Sequence, residues 1–103
     1  MIDKPGLVKV LLDIAEERYR QDEKWGSQRH PNGTGGGYYQ AVSQVTREEC
    51  QRRNSEGKDQ WDAILLEEVY EALAESDEKK LEKELVQVAA VAAVWIEDIR
   101  SRR

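Results

Sequence analysis

Residues 59–100 read DQWDAILLEEVYEALAESDEKKLEKELVQVAAVAAVWIEDIR, and the fold turns on this stretch. At roughly 100° per residue, Trp61, Ile64, Leu65 and Ala72 share one side of a helix from about Gln60 to Glu75. Leu81, Leu85, Val88, Ala92, Trp95 and Ile99 form the same kind of stripe on a second helix, from about Glu78 to Arg100. Asp59 can cap the first helix, and Ser76 or Asp77 the second. The few residues around Ser76 and Asp77 leave no room for a crossover, so the two helices fold back as an antiparallel pair.

Working upstream, a third helical pattern covers Pro5 to Lys24, with Leu7, Leu11, Ile14 and Ala15 as its apolar face. Asp3 can cap it, and Pro5 suits its first turn, where a missing N–H costs nothing. Arg18, Gln21 and Trp25 continue the same face, so a core stripe turns polar at its end. Five glycines (Gly26, Gly33, Gly35, Gly36 and Gly37) lie between Gly26 and Tyr38, which reads as a flexible loop over 26–38. This loop lacks the Gly-x-x-x-x-Gly-Lys-Ser/Thr pattern of a P-loop. Tyr39 to Ser55 is helical in a weaker way. Thr46 and Glu49 have capping-box spacing there, Gly57 can end the segment, and its polarity predicts a peripheral position. No segment shows strand alternation. The expected fold class is all-α, an antiparallel helical bundle.

Size and charge narrow the field. A chain of 103 residues is expected to form a single domain over 1–103. Hydrophobic residues make up 39% and charged residues 36%, a lean apolar set for one core. The last helix is apolar almost all round between Val88 and Ile96. Oligomerisation, as a homodimer or homotetramer, is therefore expected to complete the core. A net charge of -5 argues against a nucleic-acid partner. The mostly apolar run from Leu85 to Ile96 is twelve residues long, too short to span a membrane. Cys50 is the only cysteine and nothing resembles a secretory signal, so a cytoplasmic location is expected.

The chemistry lies in acids that break the apolar pattern. Glu68 falls inside the buried stripe of the first acidic helix, between Ile64 and Leu65 on the wheel. Glu71 sits at its edge and Glu67 flanks it. Glu84 borders the stripe of the second helix, and Gln87 is the single polar residue from Leu85 through Ile96. Each i,i+4 like-charge pair costs a few tenths of a kcal/mol, on the order of 0.3. An unpaired buried carboxylate costs several times more. Antiparallel packing brings Glu68 and Glu71 opposite Glu84 and Gln87, a pocket of oxygen ligands that suits Mg²⁺ or Mn²⁺. Zinc and di-iron centres want histidine or thiolate, and the sole histidine, His30, is on the loop. The plainer reading of such acids is a solvated helix face. It serves well for Glu67, Glu75, Glu78 and Glu82 and poorly for Glu68 and Glu84, while Glu71 admits either reading. Gln87 is equally a buried interhelical hydrogen-bond partner on spacing alone.

EEVYEA at Glu67 to Ala72, followed by ELVQ at Glu84 to Gln87, resembles the MazG-like all-α nucleotide pyrophosphohydrolases, and most of all a small single-domain branch of them. Their signature is Glu-x-x-Glu, a spacer, then Glu-x-x-Asp. Glu68 and Glu71 match the first pair and Glu84 the second glutamate. The likeness extends back through Glu17 to Pro31, including Trp25, His30 and Pro31. It implies Mg²⁺-dependent hydrolysis of a nucleoside or deoxynucleoside triphosphate to the monophosphate and pyrophosphate. Glu68, Glu71, Glu84 and Gln87 are then the metal ligands, and Glu67 is the residue that orients or deprotonates water. Trp25 either stacks on the base or packs the end of its helix, with His30 nearby. Arg18, Gln21 and Lys24 are placed to meet phosphates or sugar, Lys24 being equally a surface residue. Gln87 departs from the family's aspartate and removes one negative charge. That departure leaves two alternatives open: a non-catalytic nucleotide- or metal-binding helical dimer, and a helical dimerisation module whose glutamates face solvent.

Overall fold

The computed structural model describes residues 4–103, in which every regular element is a helix. The helices are α1 (Pro5–Trp25), α2 (Gly37–Ser55), α3 (Trp61–Ala74) and α4 (Glu78–Ser101). No helix among the described residues is long and apolar enough to cross a membrane.

Local chemistry accounts for most of the boundaries. Pro5 opens α1 without loss of a needed N–H, and the residue at its N-cap is Lys4, which makes no side-chain cap. Asp3, the expected cap, lies outside the described residues. Asp77 does cap α4, its Oδ2 accepting the N–H of Lys80 at 3.0 Å. Two expected caps are corrected. Asp59 does not cap α3, whose N-cap is Gln60; the Asp59 carboxylate instead accepts from the Asn54 side-chain amide at 3.2 Å. Thr46 is not at a helix start but inside α2. Its hydroxyl bonds back to the carbonyls of Val42 and Ser43, both at 3.1 Å, which removes any need for a cap there.

The chain forms two compact units, with α4 running through both. The first holds residues up to Asn32 and those from Ala93 onward. Within it Arg100 donates to Asp13 at 2.6 Å, and a side chain at Gly6 would first meet Glu97. Val10 is the buried residue of α1. The expected stripe is corrected here: Leu11 and Ile14 are 42% and 38% exposed, and Ala15 is exposed as well. The buried face is thus centred on Val10, and the larger aliphatics flank it in the open.

The second unit is Gly33–Ala92. Here α2 and α3 are paired along their length, which corrects the expectation that α2 is peripheral. Arg53 reaches Asp62 at 2.9 Å near the connection, and Arg47 reaches Glu71 at 3.8 Å further along. Numbers that rise on one helix as they fall on the other define an antiparallel hairpin. Polar arms rather than aliphatics tie α2 down, so its apolar pattern underreports its packing. Ser43 is buried on α2, Ala63 and Ala72 on α3, and Leu81 on α4. Leu85, placed in the core by periodicity, is 52% exposed, and the adjoining Val86 is 65% exposed.

The glycine-rich stretch is fastened at its end. Gly35 donates its N–H to the carbonyl of Leu73 at 2.8 Å, close to the C-terminus of α3. Its φ of +88° suits glycine, and a Cβ there would stand 3.1 Å from the Cβ of Ser76.

Candidate metal centre

The α3–α4 connection, Glu75 to Asp77, is short enough to lay the start of α4 back along α3. That hairpin carries Glu84 to the level of Glu68 and Glu71. One carboxylate oxygen from each of Glu68, Glu71 and Glu84 lies within 4.8 Å of the others, and all three residues are half-buried. The Oε2 atoms of Glu68 and Glu84 are cut off from solvent and accept no hydrogen bond.

Like charge and burial act together on these acids. The Glu68 carboxyl is pushed above its usual range, first by burial and then by the charges of Glu67 and Glu84. Glu71 is pushed up in the same direction, by burial first, then by Glu68, Glu67 and Glu84. Arg47 opposes the shift on Glu71 as the smallest contribution. Its Nε stands 3.8 Å from Glu71 Oε1, too far for a hydrogen bond. One arginine at that distance does not balance three carboxylates. The donor set is entirely oxygen, and its two orphaned buried atoms are what a hard divalent cation would satisfy.

The remaining expected residues have separate settings. Glu67, beside Glu68 on α3, accepts a hydrogen bond from the Cys50 thiol of α2. That bond, followed by burial, raises the thiol to about 11. Gln87 follows Glu84 by one turn of α4 and is exposed, so it is not buried in an interhelical bond. Arg18, Gln21, Lys24, Trp25 and His30 all belong to the first unit, and all are exposed. Arg18 donates to Gln21 and to Asp22, each at 2.9 Å. The Lys24 ammonium stands 4.9 Å from the centre of the Trp25 ring, a cation–π contact. One ring nitrogen of His30 lies 3.2 Å from Gln28 Oε1.

Two residues at the centre escape sequence reasoning, Arg47 and Cys50. Both come from α2, whose polar pattern predicts no packed face. Register would have found them: once Arg53 stands opposite Asp62, an antiparallel hairpin carries Cys50 to Glu67 and Arg47 toward Glu71.

No family model, curated protein or solved structure matches this chain.

Proposed function

We propose that this chain is a Mg²⁺-dependent nucleoside triphosphate pyrophosphohydrolase of the MazG-like all-α type, with Mn²⁺ as a substitute ion. The observation that carries the reading is the convergence of Glu68, Glu71 and Glu84 within 4.8 Å, with buried oxygens on two of them lacking any hydrogen bond. The spacing of those residues, Glu-x-x-Glu and then Glu-x-x-Gln, supports the family assignment independently.

Glu68, Glu71 and Glu84 would hold the ion, with the Gln87 carbonyl at the rim. When bound, Mg²⁺ neutralises charge on the triphosphate and on the leaving pyrophosphate. Glu67 orients or deprotonates the attacking water. Trp25 and His30 are assigned to the base, and Arg18, Gln21 and Lys24 to phosphate or sugar. A homodimer or homotetramer, formed in the cytoplasm, would cover exposed aliphatics such as Leu85 and Val86.

The test is pyrophosphate release from the eight common NTPs and dNTPs with Mg²⁺, with Glu68→Ala as control. Pyrophosphate and monophosphate in equal amounts, lost in the variant, is the expected result. Silence with every nucleotide from a folded chain that binds Mn²⁺ would favour the second reading, a non-catalytic nucleotide or metal sensor. Gln87 favours that reading, because it withholds one charge from the site.

A further inference from the structure

We propose that Arg47 binds a phosphate of the substrate, and that Glu71 holds its guanidinium beside the carboxylates until a divalent cation engages Glu71. The assignment rests on the nucleotide reading above and deepens it.

Three arginines of α2 differ in how fully they are engaged. Arg52 donates two bonds to Glu49, both 2.9 Å, and a third to Glu56. Arg53 donates to Glu49 and Gln60 at 2.8 Å and to Asp62 at 2.9 Å. Arg47 has no such grip. Its Nε faces Glu71 at 3.8 Å, and the side-chain hydrogen bond it makes among the described residues is a long one, 3.5 Å to Gln44. The terminal fork, the part of arginine that matches a phosphate, is nearly uncommitted.

Charge balance gives that fork its use. Without an ion, three clustered carboxylates face one arginine, and Arg47 supplies their only nearby protein cation among the described contacts. With a divalent cation in place, the three carboxylates keep one net negative charge instead of three, so Arg47 is held far less strongly and its fork is free to take a phosphate. Its side chain is 43% exposed while Glu71 is 24% exposed, so it bridges the half-buried cluster and the solvent. A polyanion arriving from solvent with the ion meets this arginine at the edge of the site. The same arm that competes with the cation before binding then secures the phosphate after it.

The experiment compares wild type, Arg47→Gln and Arg47→Lys in two assays, Mn²⁺ binding alone by calorimetry and steady-state kinetics on the best triphosphate. Arg47→Gln is expected to bind Mn²⁺ several-fold more tightly, because the competing charge is gone. Its KM should rise about tenfold or more, the loss of a charged hydrogen bond, with a smaller change in kcat. Arg47→Lys keeps the charge without the fork, so its Mn²⁺ affinity should match wild type while its KM lies between the other two. An active wild type with an unchanged KM in Arg47→Gln overturns the assignment, as does Mn²⁺ affinity that fails to increase. A wild type that turns over no nucleotide overturns the nucleotide reading itself, a distinct result. Circular dichroism confirms folding of each variant, and the lysine variant serves if the glutamine variant does not fold.

Discussion

Glu68 on α3 and Glu84 on α4 each keep one carboxylate oxygen out of water with no donor to receive, and the two residues contribute to the same cluster. Both helices are well formed, so the cluster is a cost that the fold carries rather than a failure of packing.

Removing one charge should therefore stabilise the metal-free chain. Glu68→Gln or Glu84→Gln is expected to raise the melting temperature by roughly 2–5 °C without metal, from relief of like-charge repulsion. The same variants should lose the stabilisation that Mn²⁺ gives wild type. Thermal melts with and without Mn²⁺ check both, and a lower metal-free midpoint in both variants would count against a strained cluster.

The pH dependence follows from the same residues. Glu68 and Glu71 hold protons more tightly in the folded chain than the ordinary value of 4.5 allows, chiefly through burial. Their contribution to stability is fully present below that value and is lost as pH rises through the raised folded values. Glu49 runs the other way: bonds from Arg52 and Arg53 hold it down to about 2, and its contribution is lost only as pH falls toward that value. Between 4.5 and neutrality the raised pair governs. The metal-free melting temperature should fall with rising pH there, and saturating Mn²⁺ should flatten or reverse the trend. Differential scanning calorimetry at constant ionic strength measures it.

Cys50 should be a slow nucleophile in the native chain. A thiol raised from 9.0 to about 11, first by its bond to Glu67, is about one part in a thousand thiolate at pH 8, some hundredfold less than an ordinary one. Alkylation by iodoacetamide, followed by mass spectrometry, should be slow natively and fast in urea. Glu67→Gln should speed the native reaction several-fold by removing the main cause. Equal native rates in wild type and the variant would argue against the Cys50–Glu67 bond.

Two glycines give a graded test of the loop. Gly35→Ala forces a Cβ to 3.1 Å from Ser76 at a φ of +88°, whereas Gly33→Ala has the unusual φ (+69°) with no atom within 4 Å. The second should cost about 1 kcal/mol for backbone alone. The first should cost roughly 2 kcal/mol or more, since the overlap adds to the backbone term. Urea denaturation resolves the difference.

The helices of residues 59–100 were legible because their apolar spacing is strong and Asp77 is a good cap. Glu68 is legible for a related reason, since an acid inside an apolar stripe is conspicuous; Glu71 at the edge of that stripe and Glu84 bordering the next are less so. What escaped notice depends on partners that periodicity does not encode. Arg47 and Arg53 look like solvent residues until the hairpin register is known, and Thr46 looks like a cap until its hydroxyl is seen to bond backward. Leu11, Ile14 and Leu85 fit an apolar stripe, yet they stand in the open because the stripe is wider than the surface this single chain presses against it.

The bond from Gly35 to Leu73 sets where α2 begins against the end of α3, whatever precedes it in the chain. That anchor lies downstream of residues 26–29, so the register of the carboxylate helices is set by a contact outside that span. Insertions, deletions or an affinity tag placed there should leave the glutamate cluster in place, which makes that span the natural point for grafting and for length variation.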